Sequence, residues 1–399
     1  MSISLGLVGS GQFAPTFATL FKAHPLVSRV VVTDLLPERA RQVNESVGLD
    51  GVAPDFEALL ADPTIDSVAI FTQRWTHGPL VVQALNAGKH VYSAVPMAIT
   101  RGEIAAIIEA VRATGLTYMM GETSFYNPAT VFARQQLALG KFGRVFYSEG
   151  DDVHDMDLGF YDAYRYSGGD AWKSTASFPP MLYPTHAIGG VLGALPTHVT
   201  SVSCIGIVDD RGDGVFDRQV SKWSNNFSNE SALFELADGG VMRTNEMRRV
   251  GYPSHLRESR FRYFGTEGSF EEFANAAIWQ DRDGVTDMTA EISTTSYAGE
   301  DDPALAHVSP ALRGAFATGH AAVHDISRLP SEFAGLHSGH EGSHHFLVDD
   351  FVTAVAARSL PPVNAWQAAR FTLPGIVAHE SALAGGARLA VDDFGDAPV

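Results

Sequence analysis

Two short stretches of this chain place chemically capable residues at informative spacings. The first is Gly9-Ser10-Gly11-Gln12-Phe13-Ala14, which follows an apolar run from Ile3 to Val8 and opens a helical segment over 13–23. A glycine-rich turn between a buried strand and a helix lets a pyrophosphate reach backbone N–H groups at the helix N-terminus. About 20 residues on, a second strand ends in Asp34, where an acid accepts both hydroxyls of an adenosine ribose and repels a 2′-phosphate. The pattern expects NAD rather than NADP, with Gly9, Gly11, Gln12, Phe13 and Asp34 at the cofactor. The second stretch is Met181-Leu182-Tyr183-Pro184-Thr185-His186. Residues three apart share one helical face, so Tyr183 and His186 would point into one cleft if this segment opens a helix. Taken singly, Tyr183 also reads as a buried aromatic, His186 as a helix-start histidine bound to backbone, and the glycine turn as a turn that binds nothing.

These residues need a scaffold, and 399 residues are too many for one ordinary core. Residues 1–124 alternate strands (29–33, 66–71, 89–92, 116–121) with helices (Pro37–Val47, Phe56–Ala61, 79–87, Arg101–Thr114). This predicts an α/β unit with a doubly wound parallel sheet, the Rossmann arrangement. From about Phe125 the pattern changes. A helix over 128–139 is followed by longer alternating stretches at 143–150, 199–207, 231–236, 241–246, Ser259–Gly265 and 268–273. They predict a second α/β domain over 125–399 with a large, mostly antiparallel open sheet backed by helices. Residues 281–345 read as long loops with short helices, a lid or an oligomer contact. Helices over 346–357 and 365–384 close the chain.

The composition, 45% apolar and 19% charged, is that of a globular protein, and no apolar run reaches membrane-spanning length. A formal charge of −18 argues against nucleic acid and anionic membranes as partners. The single cysteine, Cys204, fits a reducing cytoplasm, and the first strand starts too early to leave room for a leader. His320 and His324, four apart, could hold zinc on a helix, but with no cysteine nearby and no clearly placed carboxylates, no metal is expected.

The run Asp62-Pro-Thr-Ile-Asp-Ser-Val-Ala-Ile-Phe-Thr72, then His77, Ala87-Gly-Lys-His-Val91 and Pro96, resembles the glucose–fructose oxidoreductase/inositol dehydrogenase (Gfo/Idh/MocA) superfamily. The similarity extends through Leu139-Gly-Lys-Phe-Gly-Arg144 to Phe346-Leu-Val-Asp-Asp-Phe351. The resemblance implies an NAD-binding domain, a C-terminal sheet that often joins subunits, and an active site between them. It places Thr72, Gln73, Trp75, His77, Ala94 and Glu122 at the cofactor. Sugar dehydrogenases of this superfamily carry Glu-Lys-Pro where this chain has Ala94-Val95-Pro96, and an Asp where it has Leu182. An apolar residue cannot shuttle a proton from a sugar hydroxyl.

Leu182-Tyr183-Pro184-Thr185-His186, the Val95-Pro96 pair and Glu149-Gly-Asp-Asp-Val-His-Asp155 instead resemble the superfamily's NAD-dependent glycoside hydrolases, such as the α-N-acetylgalactosaminidases. Asp152 stands where those enzymes have an aromatic sugar contact, so N-acetylgalactosamine is not carried over. The resemblance implies hydrolysis by transient oxidation at C3 with tightly held NAD+, Tyr183 as base at C2 and His186 at the C3 hydroxyl. An ordinary phenol keeps its proton at neutral pH, so a positive charge near Tyr183 is required; the nicotinamide cation, Lys173 or Arg165 could supply it. Trp172, Lys173, Arg165, His154, Asp152 and His340 are the expected substrate contacts. The second domain also clusters Arg243, Arg248, Arg249, Arg257, Arg260 and Arg262. That cluster reads either as a site for an anionic sugar such as a sulfoquinovoside or as ion pairs on the sheet. A sugar dehydrogenase and a catalytically silent sugar sensor remain alternatives. The expected partners are a glycoside and further copies of the chain, as a homodimer or homotetramer through the C-terminal sheet.

Overall fold

The computed structural model describes residues 2–398 apart from 158, 252–257, 297–300, 309, 311 and 312. The N-terminal apolar runs form one parallel sheet: β1 (Ile3–Val8), β2 (Val27–Thr33), β3 (Ser67–Ile70), β4 (His90–Ser93) and β5 (Tyr118–Met120), in the order β2-β1-β3-β4-β5. Helices α1 (Ala14–Ala23), α2 (Pro37–Val47), α3 (Phe56–Ala61), α4 (His77–Asn86) and α5 (Arg101–Thr114) connect them. With helices on both faces, β1 and β3 are buried along their whole length, which is why they read as continuous apolar runs. β2 lies on one side of β1 and β3 on the other. A crevice therefore opens beyond the carboxyl ends of β1 and β3, the position where open α/β sheets hold ligands.

Helix α6 (Pro128–Ala138) leads into the second sheet. Its strands are β6 (Val145–Val153), β7 (Val199–Val208), β8 (Phe227–Leu236), β9 (Val241–Met247), β10 (Ser259–Gly265), β11 (Gly268–Glu272), β12 (Ala277–Asp281) and β13 (Gly284–Asp287). A separate pair, β14 (Thr294–Ser296) with β15 (Thr318–Ala321), precedes the last strand, β16 (Leu389–Ala390). The nine-stranded order is β13-β12-β11-β10-β6-β9-β8-β7-β16, antiparallel except for β6 beside β9. Between β6 and β7 run α7 (Phe160–Gly168), α8 (Trp172–Ala176) and α9 (Thr185–Ala194). All ten residues of α9 are buried, and its glycines let it press against the sheet and against Glu122.

The later helices are α10 (Thr289–Ile292), α11 (Arg313–Phe316), α12 (Ser343–Ala357) and α13 (Ala365–Leu383). α12 returns to the first domain, where Phe351 meets Phe21 and Tyr92 edge-on. Residues 281–345 hold more regular structure than their polar composition suggests, including β13, β14 and β15. These strands are short, and β13 is fully exposed at the sheet edge, so no apolar alternation marks it.

Candidate active site

The chain leaves β1 through Gly9 at φ +95°, and a Cβ there would lie 2.8 Å from the carbonyl oxygen of Phe71. Only glycine satisfies both the conformation and the space. Helix α1 then starts with no side-chain cap and no acid in its first turn, leaving N–H groups and the positive helix end available to an anion. Asp34 sits beside this turn, its carboxylate accepting from the Ser10 N–H at 2.7 Å and the Leu36 N–H at 2.8 Å. The Ser10 hydroxyl and the Gln12 side-chain oxygen are buried without partners among the described residues. Such orphaned polar atoms, with an uncapped helix and a nearby acid, fit a dinucleotide.

At the end of β3, the Thr72 and Thr76 hydroxyls lie 2.7 Å apart, and the Gln73 carbonyl accepts from the Thr76 N–H. His77 is buried, its ring nitrogens 2.7 Å from the Pro96 carbonyl and 3.1 Å from the Thr72 carbonyl. It thus ties together the turns after β3 and β4; burial, the largest influence, keeps its ring neutral in character. The Ala94 N–H donates to the Ile70 carbonyl, and Trp75 packs on Trp223 at 5.2 Å between ring centres. Phe13 meets Phe316 and His340 at 5.1 and 5.8 Å. The backbone from Gly339 to Gly342 has positive φ at four consecutive residues, including His340 at 37° and Glu341 at 57°. This turn sets the His340 ring over the start of α1, with His340 Nδ1 2.6 Å from His344 Nε2.

Tyr183 and His186 do come together, though not on one helical face. α9 begins at Thr185, and Tyr183 precedes it with φ −126° and ψ 56°. The Tyr183 hydroxyl lies 3.0 Å from His186 Nε2. His186 Nδ1 donates to Glu122, 2.8 Å away, and the Thr123 hydroxyl lies at 3.4 Å. Glu122 is fully buried and follows β5; its approach depends on Gly189, where a Cβ would lie 2.7 Å from Glu122 Cγ. Burial alone would depress the His186 pKa, but the Glu122 carboxylate and Tyr183 outweigh it and hold the imidazole well above its ordinary value. With Nδ1 committed to Glu122, neutral Nε2 accepts the phenol proton and protonated Nε2 donates to the phenol oxygen. Phenol, imidazole and carboxylate form one hydrogen-bonded line.

A second polar cluster adjoins the first, and the sequence reading missed most of it. Arg248 donates to Asp152 at 2.9 Å and to Glu246 at 2.7 Å. Burial opposes the charge on Asp152, yet Arg248 prevails and leaves its pKa at about 2. Glu246, buried beside Asp152, is held well above the carboxylate range. His154 Nδ1 lies 3.4 Å from Glu258. Burial lowers His154 to about 4 and raises Glu258 to about 8, so both are neutral near pH 7. Arg74 packs its guanidinium over the Tyr183 ring, 4.1 Å from the centre. Arg74, His154, Tyr164, Phe178, Tyr183 and Arg248 line one cavity. Arg248 was named in the sequence as one of the arginine cluster, without its carboxylate partners; Arg74, between Gln73 and Trp75, was not singled out.

Lys173 and Arg165 stand elsewhere. Lys173 Nζ donates to the Asp213 carbonyl at 2.5 Å, and exposed Arg165 pairs with Asp162 at 2.7 Å. Trp172 packs between Arg165 and Tyr161. The positive charges beside Tyr183 are instead Arg74 and Arg248. Arg243 and Arg262 pair with Glu149 and Asp151, and Arg249 with Asp209 and Asp213, so these arginines are matched by carboxylates. Arg257 lies outside the described residues. His320 and His324 are not on a helix: His320 is in β15, and His324 Nε2 lies 2.8 Å from the Tyr126 carbonyl. Among the described residues no group of three or more His, Cys, Asp or Glu could hold a metal ion.

This is an NAD-binding Rossmann sheet followed by a second α/β unit, and Tyr183, His186 and Glu122 form a hydrogen-bonded cluster. Residues 3–122 match the GFO_IDH_MocA oxidoreductase family, NAD-binding Rossmann fold. The chain is 32% identical to scyllo-inositol 2-dehydrogenase (NAD+) of Bacillus subtilis (strain 168) over 42% of this chain and 49% of that protein. The match thus spans about half of that relative. It is 23% identical to a glycosyl hydrolase family 109 protein of Streptomyces niveus over 98% of this chain and 77% of that protein. A levoglucosan dehydrogenase solved with NADH and levoglucosan shares the fold, with a TM-score of 0.72 at 19% identity over 98% of this chain and all of that one. No helix among the described residues is long and apolar enough to cross a membrane.

Proposed function

We propose that this protein is an NAD-dependent glycoside hydrolase that cleaves by transient oxidation of the sugar at C3. The observation that carries this reading is the contact between two proton carriers, Tyr183 and His186, in a chain that has Ala94 and Val95 at the sequence position where dehydrogenases of the family it resembles carry a proton-shuttling lysine. Oxidising an alcohol moves one proton, whereas removing a hydrogen from the neighbouring carbon requires a second base. NAD+, held by the turn over residues 9–14 and by Asp34, would supply the oxidising power at C3 as a reversible hydride acceptor. His186 receives the C3 hydroxyl proton, stabilised by Glu122, and later gives it back. Tyr183 acts as its phenolate, its own proton having passed to solvent and Arg74 lying over its ring, and takes the C2 proton made acidic by the adjacent ketone to become the neutral phenol. The aglycone then leaves C1, water adds there, and C2 regains a proton from Tyr183 or from solvent through it. The sum is glycoside plus water giving sugar plus aglycone.

Aglycone release from a glycoside without a rise in absorbance at 340 nm tests the reading. A plain dehydrogenase, favoured by the His186–Glu122 pair and by the identity to the inositol dehydrogenase, instead converts a free sugar with stoichiometric NADH. A silent sensor binds NAD and turns over nothing. Exposed Ile205, Ile207 and Leu233 lie on the face of the second sheet turned away from α9, and we place the contact of a homodimer or homotetramer there.

A further inference from the structure

The charges around the Tyr183 cavity do not cancel. His186 is matched by Glu122, and Arg248 by Asp152. Glu246 and Glu258 are held toward their neutral forms by burial, and His154 is neutral near pH 7. Arg74 stands apart. Among the described residues it has no carboxylate within ion-pair distance; its partners are the Tyr164 hydroxyl and the ring faces of Tyr183, Tyr164 and Phe178. It is half-buried and lines the cavity; burial, the largest influence, and Arg248 oppose its charge, while the Tyr164 and Tyr183 side chains favour it. A guanidinium desolvated against aromatic rings and repelled by a second one is costly unless an anion completes the site. Elsewhere in this chain of net charge −18, Arg249 pairs with Asp209 and Asp213 and Arg248 with Asp152, while Arg134, also without a carboxylate partner, donates to the Gly193 and Phe125 carbonyls; Arg74 has neither kind of partner among the described residues.

We propose that Arg74 is the specificity-determining residue of this cavity and that the sugar it accepts carries an oxyanion, a sulfonate or a carboxylate, which pairs with the Arg74 guanidinium beside Tyr183. The proposal rests on the hydrolase reading only for calling the ligand the sugar of a glycoside. Guanidinium suits this task because it is planar, always charged and offers paired N–H donors to an oxyanion. The rival anion is the cofactor's pyrophosphate. Against it, the contacts of Arg74 are to Tyr164, Phe178 and Tyr183, all from the second domain, whereas the uncapped helix start that suits a pyrophosphate lies at Gly11–Ala14.

The test is equilibrium binding to the NAD+-loaded protein, with no turnover involved. The probes are a hexose-6-sulfonate, the matching uronic acid and the neutral parent hexose. Wild type should bind at least one anionic sugar about tenfold to a hundredfold more tightly than the neutral one. Arg74→Met should abolish that preference, and Arg74→Lys should retain part of it. The sulfonate and uronic-acid arms show which oxyanion is taken. Equal affinity of wild type for anionic and neutral sugars overturns the proposal. So does an Arg74→Met protein that loses NAD+ affinity but keeps the anion preference, since the guanidinium would then serve the cofactor. An anion preference that depends on Arg74, in a protein that releases no aglycone, upholds this site and sinks the hydrolase reading separately.

Discussion

At His186 the protonation state decides the chemistry. In the proposed cycle it must be neutral to take the C3 hydroxyl proton, and Glu122 holds its pKa above the ordinary value, so activity should be present above that raised pKa and lost as pH falls through it. The acid limb of the kcat/KM profile should lie above pH 6.5, and Glu122→Gln should move it to lower pH. An unmoved limb would show that another group titrates. His186→Ala should lower kcat/KM by about 10²–10⁴-fold while leaving NAD+ binding intact, the usual range for removing a general acid–base. Tyr183 and His186 were visible in the sequence because the run Leu182-Tyr183-Pro184-Thr185-His186 resembles the NAD-dependent glycoside hydrolases, whereas the shared helical face expected from their spacing did not form. Glu122, read there as a group near nicotinamide, emerges as the imidazole's partner only when β5 and α9 are brought together. Arg74 was missed because an arginine carries no sign of whether a carboxylate will meet it.

The elements that hold these groups work through close approach. Gly9 brings the β1–α1 turn against Phe71, and Gly9→Ala adds both a left-handed strain and a Cβ 2.8 Å from a carbonyl oxygen. We expect a loss of about 1–3 kcal/mol in stability together with weakened NAD+ binding by titration. Gly189 does the same for Glu122: in Gly189→Ala the new methyl, 2.7 Å from Glu122 Cγ, should lower activity and leave NAD+ affinity unchanged. The parallel sheet was legible because fully buried strands announce themselves as apolar runs bounded by turns. β10 was legible to the residue, its buried Phe261 and Tyr263 alternating with Arg260 and Arg262. β8 begins at Phe227, four residues before the predicted strand, because Ser228 and Glu230 are polar yet buried. The Met181 N–H and His379 satisfy Glu230, and neither partner is adjacent in sequence.

Across the whole molecule, several histidines are buried uncharged. Burial lowers His154, His320 and His324 to about 4, and His340 and His345 to about 3. Unfolding restores their ordinary value near 6.5, so the unfolded chain binds more protons between those limits. The stability they support is full above pH 6.5 and is lost as pH falls toward 4. Glu258, at about 8 in the fold, acts in the opposite sense, costing stability as pH rises from 4.5 to 8. Glu246 and His186, both raised in the fold, act in the same sense as Glu258, and the five lowered histidines outnumber these three, so Tm should fall on acidification from pH 6.5 to 4.5. His324→Gln should flatten that fall; a Tm independent of pH in this range would contradict the burial described.

Hydrolysis in D2O puts the shared phenol–imidazole proton to the test. A glycoside hydrolysed by the loaded enzyme should yield a sugar carrying deuterium at C2, because Tyr183 exchanges with solvent before the proton returns. Product sugar released at full rate with protium retained at C2 would contradict elimination, and with it the role given to Tyr183.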